Sequence, residues 1–176
     1  MFQLMAGRAP DAPAGPSQEA AASWRDRGVA AFSAGDMDEA VTNLRLWLRQ
    51  TPGDDEARML LGRALYAMER HVQALVEFER VARRSEGHPA GLYLCLCRLR
   101  LGRAAKALEA YSAWAGASPQ ASGAWDTAEL RHRLAGHIEA AAADPAQSDR
   151  AARVLEETLD AREGLAALPS PGGERA

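Results

Sequence analysis

Alanines recur along this 176-residue chain at an almost constant spacing. Ala40, Ala74, Ala107 and Ala141 follow one another at intervals of 34, 33 and 34 residues. Self-similarity at a period of this size is typical of stacked-repeat proteins, in which each unit buries its apolar face against its neighbours. The period therefore predicts a repeat architecture, and it restricts the possible folds more than any other feature of the sequence.

The clearest repeat unit spans residues 21–54. Its large residues are Trp24, Phe32, Leu44 and Trp47, and its small residues are Gly28 and Ala40. This pattern predicts two amphipathic helices pressed closely together. Gly35 supplies permissive backbone for the turn between them, and Asp36 is suited to cap the second helix. Pro52 ends that second helix because it cannot continue the hydrogen-bond ladder.

These residues resemble the tetratricopeptide repeat family. The resemblance lies in the pattern W-x2-[LR]-G-x3-[FY], followed by G-D-x-D-E-A, a large apolar residue and a closing proline, between Trp24 and Pro52. It implies an all-α fold, namely a right-handed α-solenoid of stacked antiparallel helix pairs that ends in a C-terminal capping helix. It also implies a protein of three to four repeats.

The resemblance, together with the local composition of the two ends, divides the chain into segments. We predict a flexible leader at 1–17, a repeat domain at 18–168 and a disordered tail at 169–176, with Ser17 as the first helix cap. The units within the repeat domain are 21–54, 55–87, 88–121 and a degenerate 122–145, and the capping helix follows at 146–168. The fourth unit begins at Trp125 and departs from the pattern at Asp144-Pro145. We predict that its two helices cover about 123–135 and 137–143, so that the whole chain has seven or eight helices.

Two positions in the middle units depart from the repeat pattern. The turn Glu69-Arg70-His71 has no glycine, so we expect either more backbone strain there or a tighter turn conformation. Cys95 occupies the place of Gly28 and Gly62, where two helices of a pair approach closely. The segment from Leu92 to Cys97 is apolar all round, which predicts contact on more than one side. Neighbouring repeats account for part of that contact, and the remainder requires either the next unit or a ligand.

Composition excludes several classes of function. A net charge of −3 argues against nucleic-acid binding, which requires a basic face. No run reaches the roughly 18 apolar residues of a membrane span. The N-terminus lacks the basic and apolar regions of a secretory signal. We therefore expect a cytoplasmic protein, and the Ala/Arg-rich composition favours a bacterial source.

No catalytic or ligand-binding constellation is predicted. The four histidines are His71, His88, His132 and His137, and they fall in turns or on predicted exposed helix faces. Cys95 and Cys97 lie two residues apart on one helix and point away from each other, so they cannot chelate one metal together. The sequence has no phosphate loop and no dinucleotide fingerprint. We predict no enzymatic activity, no cofactor and no metal site.

The family resemblance places partner binding in a concave groove lined by the first helix of each pair. The candidate partner-binding residues are Arg25, Phe32, Met59, Arg63, Tyr66, Leu92, Leu96 and Arg100. Such a surface suits an extended or helical peptide with apolar anchors and some acidic residues. We expect Arg63 and Tyr66 to face the groove and to carry much of the binding energy. The alternative is that several of these side chains, notably Leu92 and Leu96, only pack between repeats.

One subset of the family binds C-terminal carboxylates of chaperone tails through a clamp of Lys, Asn, Asn, Lys and Arg. The corresponding residues here are Arg25, Val29, Leu60, Pro89 and Tyr93, and only Arg25 has the required charge. We therefore interpret the chain as a non-catalytic adaptor or chaperone-like protein that holds some other protein segment. Two alternatives stay open: a self-assembling scaffold subunit that forms homo-oligomers through exposed ends of the stack, and a regulatory accessory subunit of an enzyme.

Overall fold

The computed structural model describes residues 18–117 and 128–163. These residues form eight α-helices, one short 3₁₀ helix and no strand. The α-helices are α1 (Gln18–Ser33), α2 (Met37–Gln50), α3 (Asp55–Ala67), α4 (His71–Ala82), α5 (Ala90–Arg100), α6 (Ala104–Gly116), α7 (Ala128–Ala143) and α8 (Ser148–Glu163), and the 3₁₀ helix is Pro145–Gln147. The predicted all-α class is confirmed. The predictions for the leader, Ser17, Trp125 and the tail concern residues outside the described ranges.

Consecutive helices pack in pairs, and the pairs pack on one another. α1 lies against α2, α3 against α4, and α5 against α6. The second helix of each pair also contacts the first helix of the next pair: α2 contacts α3, α4 contacts α5, and α6 contacts α7. This is the stacking of an α-solenoid, in which each unit is stabilised mainly by its neighbours.

The turns inside the three pairs share one backbone conformation. Gly35, Glu69 and Gly102 stand at equivalent places and have φ angles of 81°, 58° and 67°. Glycine adopts this left-handed conformation without steric cost, whereas a residue with a Cβ atom pays about 1–2 kcal/mol. The expected strain in the glycine-free turn is therefore located at Glu69.

Aspartates cap two of the helices, as the sequence predicts for Asp36. The Asp36 carboxylate accepts a hydrogen bond from the backbone N–H of Glu39 at 3.0 Å, at the start of α2. Asp54 does the same for Ala57 at the start of α3, at 2.9 Å. Each bond satisfies a backbone donor that has no partner within its helix.

Glycines allow the helices of the first two pairs to approach closely. A Cβ atom on Gly62 would lie 2.6 Å from Cε1 of Phe78, and one on Gly28 would lie 2.8 Å from Cγ of Leu44. Phe78 is itself fully buried and stacks on Tyr93, with ring centroids 4.8 Å apart. The first two pairs thus depend on the absence of a side chain at one place in each first helix.

The helix α5 is buried on almost every side. Its residues from Ala90 to Cys97 are all buried, and so is Leu99. Both thiols, Cys95 and Cys97, lie within this core, and burial raises the pKa of Cys95 to about 12. α5 packs against α4, α6 and α8. The contact that the repeats alone do not supply therefore comes from α8.

The fourth unit differs from its prediction. α7 runs without interruption from Ala128 to Ala143, so the expected turn at Gly136 is wrong. Nothing lies within 4 Å of a Cβ atom placed on Gly136, which is an exposed helix residue rather than a close-packing or turn glycine. The reversal occurs after α7, where Asp144 caps the Pro145–Gln147 turn through the N–H of Ala146 at 3.1 Å. α8 then folds back against both α7 and α5.

Candidate functional site

We call the surface formed by α1, α3 and α5 the first-helix face, and define it by Phe32, Met59, Arg63, Tyr66 and Arg100. These five residues belong to the predicted partner-binding set. Met59, Arg63 and Tyr66 follow one another at helical spacing on α3. α8 lies across the part of this face that contains Tyr66 and Arg100.

Arg100 holds α8 through its whole guanidinium group. Its Nη2 donates to the two carboxylate oxygens of Glu156 at 2.7 and 2.6 Å, and its Nε donates to Oε1 at 3.1 Å. Nη1 lies 3.4 Å from a carboxylate oxygen of Asp149, in the first turn of α8. Bonds in which donor and acceptor are both charged are the strongest class of protein hydrogen bond. Arg100 therefore fixes the position of α8 along the face.

Tyr66 completes this network. Its hydroxyl donates to Glu156 and accepts from Nε of Arg100 at 3.2 Å. Burial raises the pKa of Tyr66, and the bond to Glu156 raises it further. Burial lowers the pKa of Arg100, but its bonds to Glu156 and Tyr66 outweigh this and the net pKa is raised. The network thus keeps a neutral phenol and a charged guanidinium at every physiological pH.

Arg63 extends the same face towards α1. Its guanidinium carbon lies 5.1 Å from the ring centroid of Phe32, a cation–π geometry. Burial and the carboxylates of Glu156 and Glu157 raise the pKa of Asp160, and the charge of Arg63 partly opposes this. Asp160 is thus a third carboxylate of α8, after Glu156 and Asp149, that interacts electrostatically with an arginine of the first-helix face.

Apolar side chains form the floor beneath these charges. Ala152, Leu155 and Leu159 of α8 have no exposed surface, and they belong to the same core cluster as Leu92 and Leu96 of α5. Leu92 and Leu96 were predicted to contact a partner, but both are buried in this core. Their position follows from the burial of α5 on several sides, including the side covered by α8.

A comparison with known families explains the architecture. The family model described as Tetratricopeptide repeat matches residues 31–89, from the end of α1 to the residue before α5. Residues 31–89, about a third of the chain, are similar to tetratricopeptide repeats. No curated protein and no solved structure matches the chain. Tetratricopeptide repeats generally mediate protein–protein interactions and are typically non-catalytic.

The remaining candidate, Arg25, holds the first two helix pairs together. Its Nε lies 3.2 Å from Asp54 and its Nη2 lies 2.9 Å from Glu56, so it joins α1 to the start of α3. Asp54 also accepts from the indole N–H of Trp47 at 2.7 Å. Burial raises the pKa of Asp54, but the hydrogen bonds from Ala57, Trp47 and Arg25 lower it more, so the net pKa falls. Arg25, the one residue at the five clamp positions with the required positive charge, thus binds acidic residues of its own chain.

Within 18–117 and 128–163, no three His, Cys, Asp or Glu side chains come together in a way that would hold a metal ion. In the same part of the chain, no helix is both long and apolar enough to cross a bilayer.

Sequence reasoning missed Glu156 as the central acidic residue of the face. The sequence of the capping helix is apolar on one face and charged on the other, and this pattern alone predicts that its charged residues, Glu156 among them, face solvent. Two features of the sequence together could have indicated this contact. α5 is apolar all round and must be buried on a further side, and the segment of α8 is amphipathic, with carboxylates beside its apolar stripe. Arg100 and Tyr66 belong to the predicted partner-binding set. The structure brings them together, but both bind Glu156 of the same chain.

Proposed function

We propose that this chain is a non-catalytic interaction module, an adaptor or chaperone-like protein, that binds a segment of a partner protein on its first-helix face. The observation that supports the proposal is the acidic amphipathic helix α8 on that face, bonded to Arg100 through Glu156. A surface that binds one acidic amphipathic helix has the apolar floor and the positive charges that other acidic amphipathic helices require.

The chemistry of the face defines the partner class. Phe32 and Met59 are half-buried and pack at the edge of the core, beyond the part of the face that Glu156 occupies. Methionine adapts its shape to different apolar groups, and the planar guanidinium of Arg63 suits a carboxylate. The partner segment is therefore a peptide with apolar anchors and acidic residues, as the sequence also predicts.

Site-specific photo-crosslinking tests this proposal. A photoreactive phenylalanine analogue replaces Met59 in one variant and Val72 in another. Val72 lies on α4, away from the first-helix face, and is the most exposed large apolar residue in the described ranges, with 57% of its surface accessible. It is therefore the most demanding control for non-specific apolar contact.

The proposal predicts that the Met59 variant captures a discrete protein from a lysate of the source organism and that the Val72 variant does not. Adding Arg63→Glu to the Met59 variant should weaken capture, with a loss of at least about 2 kcal/mol in binding free energy, because central arginines are frequent hot spots. Capture at Val72 alone would move the binding surface to the second helices and overturn the proposal.

A further inference from the structure

We propose that α8 is a built-in occupant of the first-helix face, and that a partner helix of the same chemistry displaces it. This inference rests on the proposed function and adds its regulation: the face is closed until a competing helix replaces α8. The partner helix carries two leucines four residues apart, each followed by a carboxylate, as in Leu155-Glu156 and Leu159-Asp160.

The contact between α8 and the face has two separable parts. The apolar part consists of Leu155, Leu159 and the small residues beside them, all fully buried. The polar part consists of the bonds from Arg100 and Tyr66 to Glu156. A partner helix with the same pattern covers the same apolar surface and supplies the same carboxylate, so the exchange leaves no buried group of the face without a counterpart.

Exchange is geometrically simple because the connection before α8 is short and local. α7 stays anchored on α6, with Leu134 and Ile138 buried. Only Asp144 and the Pro145–Gln147 turn join α7 to α8. A change of backbone angles in this segment moves α8 away from α5 and also from α7, which α8 contacts as well, while the three helix pairs keep their contacts with one another.

α8 is also an imperfect occupant, because Asp160, the residue after Leu159, is exposed. Partial burial of its carboxylate and the like charges of Glu156 and Glu157 raise the pKa of Asp160 against the opposing charge of Arg63. The tether nevertheless gives α8 an effective concentration on the order of millimolar, which reduces the apparent affinity of any competitor. An external helix therefore succeeds only when it binds the open face much more tightly than millimolar.

The probe is a fluorescent peptide with the sequence of residues 146–163. Its binding is measured to the 176-residue wild-type chain and to the full-length variants Glu156→Gln and Glu157→Gln. Both substitutions remove one negative charge from α8, but only Glu156 bonds to Arg100 and Tyr66, since Glu157 is exposed. Glu157→Gln is therefore a matched control.

We expect the Glu156→Gln chain to bind the peptide about tenfold more tightly than wild type, because its own α8 loses a charge-assisted bond to the face. The Glu157→Gln chain should bind the peptide as wild type does. Equal affinity in all three chains would show that α8 is a permanent part of the core. If the Glu156→Gln chain forms a dimer without peptide in light scattering, the face binds a second copy of the chain instead of a partner helix. Equal affinity in all three chains or such a dimer would overturn the inference.

A second measurement does not depend on the stability of a variant. Hydrogen exchange of the wild-type chain is recorded with millimolar peptide and without it. The inference predicts faster exchange in the chain's own α8 with peptide, while α5 stays protected. Unchanged protection of α8 would contradict it. The two proposals can fail separately. If the Met59 variant captures a protein but the peptide does not displace α8, only the proposed regulation is wrong. If the peptide displaces α8 but no protein is captured, the regulation is supported and the proposed partner is wrong.

Discussion

Arg100 donates two hydrogen bonds from one nitrogen to Glu156, at 2.7 and 2.6 Å, across 56 residues of sequence. The pair joins the first helix of the third repeat to α8. Both side chains keep about a quarter of their surface accessible, at 26% each. Water therefore reaches the pair, and its net contribution is smaller than that of a sealed ion pair.

We predict that Arg100 and Glu156 are energetically coupled by about 1 kcal/mol, since charge-assisted bonds exceed neutral ones but partial exposure weakens them. The measurement is a double-mutant cycle with Arg100→Gln and Glu156→Gln, read from urea unfolding. The pair Arg83–Glu79, four residues apart on the outside of α4, is the comparison and should couple less. A coupling of Arg100–Glu156 no larger than that of Arg83–Glu79 would show that α8 is not held by this bond.

Glu69→Gly should stabilise the protein by about 0.5–1 kcal/mol. The substitution removes the steric cost of the left-handed conformation at φ 58°, which exceeds the entropy cost of a new glycine. Thermal unfolding measures the change. Glu69→Ala separates charge from backbone, because it removes the carboxylate and keeps the strain. If Glu69→Ala stabilises as much as Glu69→Gly, the charge and not the backbone is responsible.

The repeat geometry follows from sequence because its interactions are local. The left-handed turns at Gly35 and Gly102, the cap at Asp36 and the close approach at Gly28 each involve residues within one unit. The repeat period supplies several copies of the same pattern, and each copy supports the others. Packing of one unit on the next then follows from the architecture, since each contacts only its neighbours.

The position of α8 does not follow from the sequence, because its contacts are not local. Its contacts with Tyr66 and Arg100 span 90 and 56 residues, and no repeat pattern relates the two sides. An amphipathic helix shows that it has an apolar face, but not which of several apolar surfaces it covers. The sequence therefore left open whether the next unit or a ligand covers α5, and with it whether Leu92 and Leu96 contact a partner or only pack between repeats.

Gly62→Ala should destabilise the protein by about 1–3 kcal/mol, because the new methyl group would lie 2.6 Å from the buried ring of Phe78. Gly136→Ala is the matched control. Gly136 is also inside a helix, but nothing lies within 4 Å of its Cβ position, so alanine should stabilise α7 by about 0.5–1 kcal/mol. Urea denaturation of both variants measures the difference, and a similar sign for both would contradict the close approach of α3 to α4.

Asp54 should contribute acid-sensitive stability. Its folded pKa lies below its ordinary value, so its contribution is present above about pH 4 and is lost as the pH falls through the folded pKa. Asp54→Asn keeps a capping side chain but loses the charge that faces Arg25, and should cost about 1 kcal/mol at pH 7. Unfolding series from pH 7 to pH 2 should show this difference shrinking below pH 4. A difference that stays constant over this range would show that the charge of Asp54 is not involved.

Hydrogen exchange of α8 tests most directly whether this helix lies on the first-helix face through Glu156. The comparison uses the wild-type chain, Glu156→Gln and the matched control Glu157→Gln. We predict that α8 is protected in wild type and in Glu157→Gln, and that it exchanges about tenfold faster in Glu156→Gln while α2 to α4 stay unchanged. Exchange of the wild-type α8 at the rate of the free 146–163 peptide would contradict the docking of α8, and equal protection in all three chains would contradict the role of Glu156.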